Sequence, residues 1–462
     1  MSRKRPTPRT GSAHQPPLWV GATDEPAGAA GPSCPVQPER DVRVKRAQRG
    51  QITWGRVDLD AEVPADHEVR AIAAVVDQLD LRGRYADVHA RPGEIAGAPA
   101  TEPKILWGLW VYATSDGVGS GREIARLVEL HAAYRWLCGG VAVAYHRLND
   151  FRSDHGDVFS ELVTQLLARL MKHDLIDLHR VAQDGTRIRA SAGAASFRSG
   201  ETLERLMTEA RAHLVEVTRA ATDPALTARH AANMARVAQD RLARLEHALA
   251  ELPDVAAIKK QSGAKDATPR VSTTDPDARV MKMPDGGFRP AFNVQLATTT
   301  DAARAIVGVS VTNRGSDQGQ ATPMLEQIEA RTGVRPTELL VDGGYPGHDA
   351  IDQATAAGVT LYAPVPKPRS KASETPDPPP IDPPLPKPGD SDAVAAWRVR
   401  TGTDSAKQIY KQRAATAETV NADAKAHRGM AATALRGLDK VTGTACLFAL
   451  TYNILRFITL SA

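Results

Sequence analysis

The chain is poor in the residues that staple a fold or anchor it in lipid. Three cysteines in 462 residues, Cys34, Cys138 and Cys446, show no metal-ligand spacing. An odd, low count excludes a disulfide framework and fits a reducing compartment. Aromatic residues make up only 5% of the chain, so the core has to rest on Ala, Val, Leu and Ile. Long apolar runs are missing as well. The most apolar window, Ala445–Leu460, is short for a span and is interrupted by Asn453 and Arg456, so it reads as a buried helix. The N-terminus carries charge without an apolar stretch, which excludes a secretory signal. These absences together predict a soluble, cytoplasmic protein with no membrane partner.

There is little excess of charge of either sign: 58 Lys plus Arg stand against 54 Asp plus Glu, a net +4. Its location is more informative than its size. Residues 1–50 hold nine basic and four acidic residues, so they carry +5 and the remainder sums to −1. A basic tail on a near-neutral body suits a polyanionic partner, because each Lys or Arg placed at a phosphate releases a counterion. A solvated tail with no partner fits the charge equally well. The tail is rich in Pro, Gly, Ala and Arg without periodicity, which predicts disorder over 1–50.

Beyond the tail, the apolar period divides the chain. Val69, Ile72, Ala73, Val76 and Leu79 recur at helical spacing, and Ile105–Tyr112, Ile124–Leu130 and Val158–Leu170 read as further helices. Gly117–Gly121 and Gly139–Gly140 break them. The run His146–His155 places Arg147, Phe151 and Asp154 near one helical face, which suits a DNA reader or a purely structural bundle. Leu178–Ala190 alternates and reads as a strand containing Asp184. Glu201–Leu252, rich in Ala, Arg, Glu and Leu with a break near Asp223–Pro224, reads as a two-helix hairpin interrupting the domain that starts at Leu178. It is either a solvated insert or an arm contacting DNA.

From Phe288 the period switches to strands. Phe292–Thr298 and Ala305–Thr312 are candidates, joined by a turn at Thr300–Ala303. Thr322–Arg331 reads as helix, Leu339–Asp342 as a short strand, Ala350–Ala357 as helix and Thr360–Pro364 as strand. Pro364–Pro388 predicts an extended surface loop, Val394–Lys425 a helix, and Met430–Leu460 a closing apolar helix. The order β-β-β-α-β-α-β-α with a helical insert after the first strand predicts an α/β fold with a sheet of mixed direction.

Two acids fall at suggestive places. Asp184 precedes Gly185, and Asp342 precedes Gly343-Gly344. An acid at a strand end before glycine sits where solvent enters, and two on adjacent strands can bind a hard cation that prefers oxygen ligands. Either Asp-Gly alone is also an ordinary turn signal. A third acid, Glu418, lies on a helix beside the stripe of Tyr410, Arg413 and Ala417, with Lys425 two turns beyond it. A Glu flanked by Arg and Lys can join a metal site and hold phosphates nearby, and a solvated helix with charge pairs looks the same. Gly343-Gly344-Tyr345-Pro346-Gly347 lacks the Lys-Ser/Thr of a nucleotide-binding P-loop.

Taken together, these segments resemble the bacterial insertion-sequence DDE transposases of the branch with a Tyr-x-x-Arg…Glu…Lys signature. The matching stretches are VAQDGTRIRA (181–190), DPDARVMKMPDGGFRPAFNVQLAT (275–298), NRGSDQGQATPMLEQIE (313–329), ELLVDGGY (338–345), LYAPVPKP (361–368) and IYKQRAATAETVNADAK (409–425). DHEVRAIAAVVDQLDL (66–81) is similar to the N-terminal domain of the same group. The likeness spans about 66–460. One departure stands out: many members have three residues between the signature's Arg and Glu, and this chain has four.

The resemblance implies a ribonuclease-H-like mixed sheet with flanking helices. The catalytic domain would occupy 178–462, with a helical insertion at about 200–260 and the Pro-rich loop at 364–390. A helical, DNA-binding domain would precede it at 51–177. The first acid of the family maps onto Asp184, the second onto Asp342 and the Glu onto Glu418, as catalytic residues and metal ligands. Tyr410, Arg413 and Lys425 map onto the signature's remaining positions, where Arg413 and Lys425 suit phosphate binding and Tyr410 either stacks near DNA or packs. The implied chemistry is cleavage and strand transfer at the ends of a mobile element, with water and then a 3′-hydroxyl as nucleophile. Two Mg²⁺ or Mn²⁺ ions would be held by the three carboxylates. The implied partners are DNA, as terminal inverted repeats and target, and a further copy of the chain when two ends are paired. A nuclease of the same fold that does not join DNA, and a decayed or domesticated copy that only binds DNA, are the other readings.

Overall fold

A computed structural model describes residues 44–53, 57–85, 99–221, 227–261, 268–365 and 385–461. The helical region comprises α1 (Glu68–Asp77), α2 (Pro103–Ser115), α3 (Gly121–Leu130), α4 (Ala132–Cys138), α5 (Tyr145–Asp154) and α6 (Gly156–Lys172). The helical stripe read from the sequence is the buried face of α1: Val69, Ile72, Ala73 and Val76 are all buried, and His67 caps the helix by accepting from the Val69 amide at 3.2 Å. Nearly every residue of α2 is buried, so it runs through the middle of this region. Its Trp110 donates to the Leu148 carbonyl at 2.9 Å, and the Arg152 guanidinium lies 4.2 Å from the Trp110 ring centroid. On α5, Arg147 and Asp154 are exposed whereas Phe151 is buried, so the face they share is half core and half surface.

Most of the expected tail, residues 1–43, lies outside the described residues. Its end differs from the expectation of disorder: Val44–Lys45 pairs in parallel with Ala100–Thr101, which satisfies backbone groups on both segments. The Pro-rich segment at 366–384 likewise lies outside the described residues.

The main sheet has six strands: β1 (Arg180–Arg189), β2 (Arg279–Lys282), β3 (Phe288–Thr299), β4 (Ile306–Thr312), β5 (Glu338–Leu340) and β6 (Thr360–Tyr362). Its order is β4-β3-β1-β5-β6, with β2 pairing the start of β3. β1, β3 and β4 are antiparallel, and β5 and β6 are parallel to β1. The sheet is therefore mixed, as the element order predicts. Between β1 and β3 the chain leaves the sheet for α7 (Gly200–Ala220) and α8 (Ala228–Ala250), the expected hairpin, which buries Leu203, Ala210, Leu245 and Ala248 in a small core of its own.

Helices cover both faces of the sheet. Residues alternate sides along a strand, so Ala182 and Asp184 share one face of β1 while Gln183 and Gly185 share the other. On the second face, α9 (Ala321–Thr332) comes so close that a Cβ on Gly308 would meet the Met324 sulfur at 2.3 Å. α10 (His348–Ala356) links β5 to β6.

The expected single helix over Val394–Lys425 is broken. α11 (Asp392–Gly402) ends at a glycine, and extended Thr403 restarts the chain by capping the Ala406 amide at 3.2 Å. α12 (Asp404–Arg413) then passes through a π-helical turn at Ala414–Glu418 into α13 (Thr419–Ala426). The closing helix also starts later than Met430. Ala431 and Thr433 bond the backbone of Arg189 at the end of β1, and helix α14 (Leu438–Ser461) begins where Asp277 accepts from the Leu438 amide at 2.8 Å.

Helix α14 is long and apolar enough to cross a membrane, but 67% of its apolar window is buried inside the protein, and it does not indicate a membrane protein. It crosses α6 where Gly443 meets Gly156; a Cβ on Gly443 would lie 2.6 Å from the Gly156 Cα. Farther along, Asn453 bonds both the amide and the carbonyl of Ile306 at 2.8 Å. One helix thus packs on the helical region and the sheet together, and a continuous apolar core runs through both.

Candidate active site

Asp184 lies inside β1, not at its end. The strand continues to Arg189 because β3 pairs with it along that whole length, from Val181↔Thr299 to Arg189↔Ala291. The Asp184-Gly185 pair is therefore no turn. On the other side of β1, β5 stops at Leu340, the partner of Ala182. Beyond that point the flank of β1 is open, and Asp342, two residues past Leu340, is in step with Asp184. The chain turns away there, with the Gly344 amide donating to Asp342 Oδ1 at 2.7 Å. Both acids follow the face of Ala182 and Leu340, which with Tyr362, Ala406 and Ala417 form a small apolar cluster under α12 and the π turn.

Arg413 joins the pieces. Its guanidinium donates to Asp184 Oδ1 at 2.7 Å and to Glu418 Oε1 at 2.8 Å. The Arg413 and Asp184 side chains are 10% and 17% exposed, so this pair is buried, whereas Glu418 at 53% opens to solvent. One turn past Glu418, Asn421 donates to Asp184 Oδ2 at 2.8 Å. Both oxygens of Asp184 are thus oriented by donors from the helix above it.

The π turn explains the unusual spacing in the sequence. On a regular α-helix, residues five apart point roughly 140° away from each other. A π turn carries one extra residue and stacks position i on i+5. Arg413 and Glu418 are five apart, and they bond each other across the turn at Ala414–Glu418. The fourth intervening residue is absorbed there, so Tyr410 and Arg413 before it keep the same side as Glu418 and Asn421 after it. Deleting exposed Ala415 should therefore yield a regular helix with the site intact. Thermal stability is expected to change little. Deleting exposed Ala422 instead should turn buried Ala424 out of the core by about 100° and cost far more stability; equal losses of melting temperature from the two deletions would refute this account.

Electrostatics reinforce the geometry. Burial pushes the Asp184 carboxyl above the usual range; Arg413 and the Asn421 hydrogen bond pull it down, and Asp342 adds to the rise. Arg413 itself is held above its ordinary value because the charges of Asp184, Tyr410, Asp342 and Glu418 outweigh its burial. Burial lowers the Lys425 ammonium, against the pull of Asp184. Tyr410 is half-buried, and burial raises its phenol, with Asp342, Glu418 and Asp184 adding to the effect. Asp184, Arg413 and Glu418 are thus joined by direct bonds, and Asp342, Tyr410 and Lys425 are coupled to Asp184 electrostatically.

Sequence reasoning missed the support on the opposite face. There Asp317 Oδ1 accepts from Asn293 and Gln295, each at 2.7 Å, and Tyr345 bonds Gln295. A Cβ on Gly185 would lie 2.2 Å from Asp317 Oδ1, so the glycine beside Asp184 is there to admit this network. Asn421 was missed too. Its signal was its place one turn from Glu418, which only a known helix face turns into a contact.

Among the described residues, the His, Cys, Asp and Glu side chains whose ligand atoms lie within 4.8 Å of one another are His247, Glu251 and Asp277, not the acid trio. That group joins the end of α8 to the segment before β2, and buried Arg279 already bonds Glu251. Within the trio, Arg413 stands between Asp184 and Glu418.

Comparison with known proteins bears on both ends of the described chain. Residues 57–154 match a transposase domain (DUF772), and residues 388–458 match a transposase DDE domain. The second match contains Tyr410, Arg413, Glu418 and Lys425. No curated protein and no solved structure gave a match. The two domain matches support an insertion-sequence DDE transposase.

Proposed function

We propose that the chain is a DNA transposase that cleaves the ends of a mobile element and joins them to target DNA, with Asp184, Asp342 and Glu418 as its catalytic carboxylates. The observation that carries this reading is the Arg413 bridge. It ties an acid on the central strand to an acid on a distant helix, while the strand register sets Asp342 beside Asp184. The sheet order, with three antiparallel strands followed by two parallel ones, supports a ribonuclease-H-like catalytic domain.

The donor set fits a hard divalent cation, since all three ligands are carboxylates. Asp184 accepts two hydrogen bonds out of about four lone-pair directions, which leaves it free to bind metal. Two Mg²⁺ or Mn²⁺ ions would activate the attacking oxygen and stabilise the leaving one. Asp184 would serve both ions, and Asp342 and Glu418 mainly one each. Arg413 and Asn421 hold the Asp184 carboxylate in a fixed orientation. Lys425, which has no carboxylate partner among the described residues, offers its ammonium to a DNA phosphate, and Tyr410 packs beneath the acids. The helical region over 51–177 binds the element's ends, and pairing of two ends brings two copies of the chain together.

The test is incubation of the full chain with its own terminal-repeat DNA, a target plasmid and Mg²⁺ or Mn²⁺. The expected result is strand cleavage followed by joined product, both lost with chelator. Cleavage without joining would reassign the protein as a nuclease. Tight end binding without cleavage would mark it as a DNA-binding protein only.

A further inference from the structure

We propose that an arginine-lined cleft at the root of the helical insertion seats the sugar-phosphate backbone of duplex DNA, outside the acid site. The cleft has a volume of about 510 Å³ and is walled by Arg198, Arg205, Arg241 and Arg244, with Thr202 and Thr273 beside them. Its construction follows from the sequence. Arg241 and Arg244 are three apart on α8, and Thr202 and Arg205 are three apart on α7, so each pair shares a helical face. The apolar seam of Leu203 and Leu245 pins the two helices together beneath them. Arg198 enters from the short strand Phe197–Arg198, which pairs with Val271–Ser272 and anchors the hairpin to the rest of the protein.

The charges in this cleft are unbalanced. Arg205 pairs with Glu209 at 2.6 Å, but among the described residues Arg198, Arg241 and Arg244 have no carboxylate partner. Elsewhere on the same helices the pattern is different: Arg236 pairs with Asp240, and Arg211 with Glu246. Three guanidiniums without matching acids, with Arg205 beside them, repel one another unless an anion lies between them. The planar donor fork of arginine matches phosphate oxygens in pairs. Hydroxyls such as those of Thr202 and Thr273 add ordinary backbone contacts. Bonds from these groups to the sugar-phosphate backbone contribute affinity and position, not sequence choice. The hairpin, which the sequence leaves as either a solvated insert or a DNA-contacting arm, is assigned to the second role.

This inference rests on DNA being the substrate, and the experiment separates the two. Binding of the full chain to a labelled terminal-repeat duplex is measured by fluorescence anisotropy over a range of KCl concentrations. Four proteins are compared: wild type, R241A/R244A, R241K/R244K and R236A. Each phosphate contact contributes about 0.9 to the slope of log affinity against log salt. The slope is expected to fall by about two in R241A/R244A, with at least a tenfold loss of affinity. It should return in R241K/R244K and stay unchanged in R236A. R198A/R205A, from the opposite wall, should repeat the fall if the first pair of substitutions disturbs folding. Wild-type binding with an unchanged slope in both double alanine variants would overturn the cleft and leave the transposase reading standing. An equal fall in R236A would also overturn it, by showing that net charge alone matters. Failure of the wild type to bind DNA would remove both.

Discussion

Asp342→Ala is expected to lower metal-dependent cleavage of the terminal DNA by on the order of 10³-fold, while end binding stays within about threefold. The size follows from the several kcal/mol that a correctly held metal contributes to the transition state, at about 1.4 kcal/mol per tenfold. Among the trio, Asp342 gives the cleanest test. Its hydrogen bond is to the Gly344 amide two residues on, and no ion pair leans on it among the described residues. Its loss should therefore cost less than about 1 kcal/mol of stability, so lost cleavage would report on chemistry. Glu418→Ala, at a half-exposed position, should behave alike. Asp184→Ala should also be inactive but less stable, because Arg413 and Asn421 both lose their acceptor. Rates are compared on one substrate at saturating Mg²⁺; cleavage by Asp342→Ala near the wild-type rate would remove that residue from the site.

Arg413→Ala is expected to destabilise the fold by about 3–5 kcal/mol, the range seen when one partner of a buried ion pair is removed. The variant leaves Asp184 as a buried carboxylate with Asn421 as its remaining donor. The sign of the pH dependence follows. Burial already raises the Asp184 carboxyl, and Arg413 opposes the rise, so the variant raises it further. A group whose folded pKa lies above its unfolded one makes the fold gain stability as pH falls through the folded value. The loss in Arg413→Ala should therefore be full at neutral pH and smaller in acid, where Asp184 is protonated and needs no counter-charge. Arg413→Lys should recover part of the loss, since it restores charge but not the two-pronged donor. Urea denaturation of the three proteins at neutral and acidic pH checks this, and a loss independent of pH would count against the Arg413–Asp184 pair as its source.

Much of the fold was legible because its elements are regular. The stripe of Val69, Ile72, Ala73 and Val76 declares the buried side of α1 through spacing alone, and the alternation around Asp184 declares β1. Asp184 and Asp342 could be found because each precedes glycine, one in an alternating strand and the other just past a short apolar one. What lay beyond reach depends on departures from regularity. The position of Glu418 reads as adjacent to the Tyr410–Arg413 stripe because five residues on an α-helix do not align, and only the π turn aligns them. The break at Thr403 is a local capping choice inside a stretch whose composition suits a helix throughout. Asp317 comes to Gly185 from a loop 132 positions away along the numbering of the chain, and no local pattern encodes such a meeting. The bridging place of Arg413 is likewise a product of the fold, since the charge is visible in the sequence but its two acceptors are not.

The path of α14 has a consequence for the order of synthesis. Asp184 emerges from the ribosome first, Glu418 well after it, and the helix that seats both the helical region and the sheet later still. At about 5–20 residues per second, the interval from the first acid to that helix is on the order of tens of seconds. During it Asp342, Arg413 and Glu418 join Asp184 in turn, while the core that the helix completes is still open. A message broken before Leu438 therefore yields protein that lacks the clamp between its two halves, whatever acids it already carries.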